Sequence, residues 1–184
     1  MSCSRVELIE TARAMLAREL VTGSLGNVSC RQGDRITITP GSLAYAAMHP
    51  EDLVVLSLTG QILAGGRAPS SEFRLHLAIY ARLPDARAIV HTHSPAATQA
   101  AAGASELSAP DSDLLSVPIP VAAYRPPGSQ ELADEAAEAL SRSGSCAVLL
   151  ERHGVVGFGA DLVNALSVCI EVERIAASIN VSRS

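Results

Sequence analysis

Residues 87–95 read Arg-Ala-Ile-Val-His-Thr-His-Ser-Pro. A short apolar run with β-branched residues, stopped by a proline, predicts a strand over 87–92 with a turn directly after it. Pro95 then opens a short Ala-rich helix. Upstream, Ser70 or Ser71 caps a helix through about Arg82 that carries Phe73, Leu77 and Tyr80 on one face. Before it lie two pairs of short strand patterns, 27–31 with 35–39 around Gln32-Gly33-Asp34, and 53–58 with 61–63 around Thr59-Gly60. Each is a hairpin signal. Ser4 caps a helix to about Leu20, with Val6, Ile9, Ala12, Leu16 and Leu20 at helical spacing. Downstream, 103–118 is rich in Gly, Ser, Ala, Asp and Pro and reads as a loop. A strand over 119–124, a helix from Ser129 to about Arg142, strands over 146–150 and 154–158, and a last amphipathic helix from Asp161 to about Asn180 complete the pattern. Strands in hairpin succession with helices among them predict an α/β fold on a mixed, mostly antiparallel sheet. With 184 residues and neither linker nor repeat, one domain over 1–184 is expected.

Composition narrows the function. Lys plus Arg number 14 against 19 for Asp plus Glu, a net charge of -5, and no basic cluster is visible. A duplex-binding protein needs a basic face. Aromatic residues are 3% with no Trp, which argues against a stacking platform for single strands. No apolar run approaches the roughly 20 residues of a membrane helix. The first 18 residues mix charged with apolar side chains, unlike a signal peptide or anchor. A soluble, cytoplasmic chain with no nucleic-acid or membrane partner is therefore expected. Cys3, Cys30, Cys146 and Cys169 form no CxxC pair and are expected as free thiols.

The chemistry gathers at strand ends. His91 and His93 are two apart, so on a strand they point to one side with Cα atoms roughly 6.6 Å apart. Two imidazoles so placed converge on one ion; the competing reading is a solvated strand end. His153 follows the apolar run 147–150 and precedes Gly154. Three neutral nitrogen ligands with an open position are the pattern of a catalytic zinc site. Glu72, at a helix start, either complements the helix dipole or faces a metal as a base, with Ser70, Ser71 and the helix N–H groups as an anion site beside it. His76, one turn on, reads as a buried, hydrogen-bonded histidine, and His49 as a surface loop residue. Gly23-Ser24-Leu25-Gly26-Asn27 either ends a helix or holds a phosphate through neutral donors.

Together, Gly23-Ser24-Leu25-Gly26-Asn27-Val28-Ser29, Ile38-Thr39-Pro40, Pro50-Glu51-Asp52-Leu53-Val54, Pro69-Ser70-Ser71-Glu72 with His76, His91-Thr92-His93-Ser94 and His153-Gly154 resemble the class II aldolase/adducin family, and within it the L-fuculose-1-phosphate aldolase branch. The resemblance covers residues 5–180. It implies a three-layer α/β/α sandwich on a mostly antiparallel sheet, assembled as a homotetramer. It implies one divalent metal per chain on His91, His93 and His153, commonly Zn2+, with Mn2+, Co2+ or Ni2+ as alternatives. Glu72 takes the place of the acid/base, and Ser24, Asn27, Ser70 and Ser71 match positions that hold the substrate phosphate. The related ribulose-phosphate epimerases carry Asp in place of Glu72, so Glu favours the aldolase side. The implied activity, in carbohydrate metabolism, is cleavage of a ketose 1-phosphate to dihydroxyacetone phosphate and a short aldehyde through an enediolate. A decarboxylase, a methylthioribulose-1-phosphate dehydratase, and a non-catalytic adducin-like domain are the alternatives.

The sequence departs from the family pattern in three places. Thr39-Pro40 is followed by Gly41-Ser42 rather than Ser or Thr and then Gly. The stretch from His93 to Tyr124 is shorter, without a counterpart of the tyrosine that serves the aldehyde half. The chain ends at Ser184, soon after the last helix. A permissive pocket for a short, poorly hydroxylated aldehyde half is the expectation, with Arg125 as a candidate replacement group.

Overall fold

The computed structural model describes residues 4–109 and 112–182. Ser4 caps the first helix, α1 (Arg5–Ala17): its hydroxyl accepts from Glu7 N at 3.1 Å while the Glu7 carboxylate takes Ser4 N at 2.8 Å. These reciprocal bonds satisfy donors that a helix start otherwise leaves orphaned. The hairpin pairs follow as β1 (Asn27–Gln32) with β2 (Arg35–Ile38) and β3 (Val54–Ser57) with β4 (Ile62–Ala64). Then come α2 (Phe73–Arg82), β5 (Ala88–Thr92), α3 (Pro95–Ala100), β6 (Glu106–Leu107), β7 (Ile119–Ala122), α4 (Gln130–Ser143), β8 (Ala147–Leu150), β9 (Gly154–Gly159) and α5 (Leu162–Ser182). Short 3-10 turns at Tyr45–Ala47 and Pro50–Asp52, unforeseen in the sequence, lead into β3.

The strands form one nine-stranded sheet in the order β4-β3-β2-β1-β5-β9-β8-β7-β6. Of the described pairs only β7 with β8 is parallel. The mixed, mostly antiparallel sheet agrees with expectation. The segment 103–118 does not stay a loop: Glu106–Leu107 pair with Pro120 and Ile119 at the sheet edge. A two-residue strand is created by its neighbour, not by local propensity.

Alternation along the strands splits the interior in two. Val28, Ala88, Val90, Leu149 and Val155 pack under α1, α3 and α5. Ile36, Val54, Leu56, Ile89, Val148 and Val156 pack under α2 and α4. Strands apolar on both faces need cover on both faces, and the result is the three-layer α/β/α arrangement. Cys146 and Cys169 are free thiols. Cys30 is disulfide-bonded, which corrects the expectation of four free thiols; Cys3 lies outside the described residues. No helix among the described residues is long and apolar enough to cross a membrane.

Candidate metal centre

β5 lies between β1 and β9, with His91 opposite Asn27 on one side and Val156 on the other. Two glycines let the neighbouring backbones close in. A Cβ on Gly26, at φ +74, would stand 2.5 Å from His91 O, and one on Gly154 would stand 2.1 Å from Thr92 O. Any side chain at either position would push the flanking segment off the histidines. Tyr45 pins the Gly26 turn from below, donating its hydroxyl to Gly26 O at 2.7 Å. Just past β5, His93 N donates to Leu20 O at 3.1 Å. The start of α3 is held by Glu173 of α5, whose carboxylate accepts from Ala96 N at 2.9 Å and Ala97 N at 2.8 Å. His153 sits in the turn from β8 to β9, behind Arg152 at φ 56 in the left-handed region.

These elements bring His91, His93, His153 and Glu72 together, with one ligand atom from each lying within 4.8 Å of all the others. Glu72 Oε2 lies 3.1 Å from His91 Nε2 and 4.0 Å from His93 Nε2, and Glu72 Oε1 lies 3.1 Å from His153 Nε2. His91 and His93 face each other, Nε2 to Nε2, at 3.0 Å. His91 Nδ1 donates to Val155 O at 3.0 Å. That bond fixes the tautomer and leaves the Nε2 lone pair pointing into the cluster. Glu72 Oε1 is buried and accepts no aligned hydrogen bond. A convergence of lone pairs without matching donors suits a cation. Three imidazoles and a carboxylate form a donor set suited to a divalent transition metal.

The electrostatics follow the geometry. Burial opposes the charge on Glu72, but His91, His153 and His93 outweigh it and hold the carboxyl well below the usual carboxylate range. Burial likewise opposes protonation of His91, and the Glu72 charge overcomes it, so that group is raised. For His93 burial prevails and the shift is downward. His76, fully buried, is pushed down to about 3 by burial and by the neighbouring His91, against the pull of Glu72.

The phosphate candidates divide. Asn27 is buried and donates Nδ2 to Glu72 Oε2 at 3.1 Å. Ser70 is buried beside it, its hydroxyl accepting from Glu72 N at 3.3 Å. Ser71 is exposed, and the loop into α4 packs on it: a Cβ on Gly128 would lie 2.9 Å from Ser71 O. Ser24 is exposed in the turn before β1. Helix α2 begins one or two residues later than expected from a cap at Ser71 or Ser70, with Glu72 itself at the N-cap and its side chain engaged elsewhere. Arg125 pairs with Glu135 of α4 at 3.2 Å. His49 is exposed, as expected.

Four residues in supporting positions escaped the sequence reading: Ser29, Tyr45, Tyr80 and Glu173. Two had a signal. Ser29 is two residues from Asn27 on a strand, and Tyr80 is eight from Glu72 on a helix, so each shares a face with a candidate. Tyr45 and Glu173 reach the site only through tertiary contacts.

Comparison with known proteins agrees with this arrangement. A family profile described as Class II Aldolase and Adducin N-terminal domain matches residues 6–179. The chain is 35% identical over 172 residues to an L-fuculose phosphate aldolase of Methanococcus maripaludis, covering 92% of each. It is 36% identical over 174 residues to a 5-deoxy-D-ribulose 1-phosphate aldolase of Bacillus thuringiensis serovar kurstaki, covering 92% of this chain and 80% of that one. A solved structure of an L-fuculose 1-phosphate aldolase superposes with a TM-score of 0.91 at 32% identity, covering 97% of this chain and 85% of that one. With a profile match along nearly its whole length and relatives above 30% identity, the chain belongs to the class II aldolase and adducin N-terminal domain family.

Proposed function

We propose that this chain is a metal-dependent aldolase that cleaves a ketose 1-phosphate, L-fuculose 1-phosphate or a deoxypentulose 1-phosphate, to dihydroxyacetone phosphate and a short aldehyde. The observation that carries this reading is the convergence of three imidazoles and one carboxylate within 4.8 Å. His91, His93 and His153 are the metal ligands, one ion per chain, with Zn2+ the best match to three nitrogens and Mn2+, Co2+ or Ni2+ as substitutes. The bound ion supplies Lewis-acid stabilisation to negative charge developing on the ketone half.

The chain's own residues do the rest. Glu72 is ionised, and Asn27 occupies its Oε2. Oε1, 3.1 Å from His153 Nε2 but without an aligned hydrogen bond, is the atom that takes the proton. In the synthetic direction Glu72 removes that proton from the carbon that attacks the aldehyde; in cleavage the hydroxyl proton of the aldehyde half passes to solvent, Glu72 takes up one proton from solvent, and it delivers that proton to the same carbon. Ser24, Asn27, Ser70 and Ser71 hold the phosphate with hydroxyl and amide donors. The chain acts as a single domain over 1–184, in the cytoplasm, as a homotetramer.

The test is to load the protein with Zn2+, confirm one ion per chain by elemental analysis, and assay dihydroxyacetone phosphate release from L-fuculose 1-phosphate and 5-deoxyribulose 1-phosphate. Release that stops on chelation and returns with metal supports the reading. Carbon dioxide release, or loss of water without chain cleavage, would assign the centre to a decarboxylase or dehydratase. A protein that takes up no metal would be an interaction domain.

A further inference from the structure

Glu72 does not stand alone on its helix. Glu72, His76 and Tyr80 are spaced by four residues and lie on one face at the start and along the length of α2. Asn27 and Ser29 are spaced by two on β1 and so face the same way. One helical step of four residues advances about 6.0 Å, and one strand step of two advances about 6.6 Å. The match lets the two rows interleave: Glu72, Asn27, His76, Ser29, Tyr80. Every neighbour in that series is hydrogen-bonded. Asn27 Nδ2 meets Glu72 Oε2 at 3.1 Å, His76 Nε2 meets Asn27 Oδ1, Ser29 Oγ meets His76 Nδ1 at 2.6 Å, and Tyr80 OH meets Ser29 Oγ at 2.8 Å. All five residues are buried.

The direction of the chain follows from its end. An ionised carboxylate only accepts, so Asn27 turns its NH2 to Glu72 and its carbonyl to His76. His76 therefore donates from Nε2, and its neutral ring accepts at Nδ1. Ser29 then donates to Nδ1 and accepts from Tyr80. We propose that His76 is a positioning residue for Glu72: held as the Nε2–H tautomer by Ser29 and Tyr80, it locks the amide of Asn27 so that one carboxylate oxygen is tethered and the other is turned toward the histidine cluster. Without that lock the Asn27 amide can rotate half a turn and present its oxygen to the carboxylate. This inference rests on the proposed acid/base role of Glu72.

Two measurements test it on the full-length, metal-loaded protein. The first is the nitrogen-15 NMR spectrum of the His76 ring, which needs no turnover. A protonated Nε2 with an unprotonated Nδ1 is expected, and the opposite tautomer overturns the proposal, because the donor direction would be reversed. The second is kinetics on 5-deoxyribulose 1-phosphate. His76→Asn should lower kcat by about 10–100-fold, as loss of an outer partner does, with KM and metal content little changed. His76→Gln, whose amide nitrogen reaches toward the Nε2 position, should recover most of the loss. Ser29→Ala, a smaller change should His76→Asn fail to fold, should lower kcat in the same sense. Wild-type kcat in a folded His76→Asn or Ser29→Ala protein overturns the proposal. Glu72→Gln run alongside separates the two readings. If it too retains wild-type kcat, the acid/base assignment has failed, and the NMR result still reports on the donor chain.

Discussion

Helix α2 and helix α5 both pack on the sheet, but where α2 meets β1 its seam is polar, beside the apolar contact of Leu75 and Ile79, whereas the α5 seam on β5 and β9 is apolar. Under α5 the contact is apolar and close. Ala165, Val168, Cys169, Val172 and Ala176 recur at helical spacing and are all buried. A Cβ on Gly157 of β9 would lie 2.8 Å from Val168 Cγ1 and 2.9 Å from Cys169 Sγ. Burial pushes the Cys169 thiol up to about 12, and it serves as a small core residue that donates to Val90 O. Under α2 the same kind of contact carries the series from Tyr80 to Glu72. Apolar seams gain stability in proportion to buried area and tolerate some repacking. A buried polar seam returns little net stability, and its members are expensive to leave unpartnered. The α5 seam is therefore scaffold, and the α2 seam holds chemistry in register.

The comparison can be broken most directly at Glu72. Glu72→Gln preserves size, and loss of the acid/base should lower kcat by about 100-fold or more with little change in melting temperature. Normal turnover on a confirmed substrate would reduce Glu72 to a helix-start carboxylate. Gly157→Ala is the mirror experiment. Its methyl has no room beneath Val168 and Cys169 and should cost about 1–3 kcal/mol of stability, measured by urea unfolding, while kcat/KM at permissive temperature stays near wild type. A rate loss without a stability loss would erase the distinction between the seams.

Acid sharpens it further. His76 is held at about 3 in the fold against 6.5 for the free group. Below pH 6.5 the unfolded chain takes up a proton that the folded chain refuses, so this group lowers stability as pH falls from 6.5 toward 3, by about 1.4 kcal/mol per pH unit. Above 6.5 it contributes no slope. Urea unfolding of metal-free wild type and His76→Gln over that range should show a steeper decline in the wild type; parallel curves would contradict the assignment. The smallest effect is expected at Arg125→Ala. Its guanidinium is spent on Glu135 and on Tyr124 O, and an exposed change of this kind should leave kcat/KM within about twofold. A large loss would return Arg125 to the aldehyde side.

Much of this was legible in the chain itself. The spacing of His91 and His93, a third histidine after an apolar run, and a carboxylate at a helix start are local facts, and the structure brings all four side chains together. The hairpin pairs and all five helices follow from capping residues, turns and periodicity. What the sequence left out has physical causes. The strand at Glu106–Leu107 exists only because β7 lies beside it. Arg125, a loop candidate for the aldehyde half, also pairs with Glu135 on a helix ten residues away. Asn27, read as a phosphate donor, is also the tether of Glu72.

What the sequence determines alone is which residues share a face, because side-chain direction follows from backbone geometry over a few residues: period two on β1, four on α2. On that basis Asn27 and Ser29 form one row and Glu72, His76 and Tyr80 another. That the rows interleave is decided by the tertiary structure. It requires β1 to sit beside β5 with Asn27 opposite His91, and α2 to cross that face of the sheet. Those placements arise from burying two separate apolar faces at once, a long-range packing condition that no local window of the sequence contains.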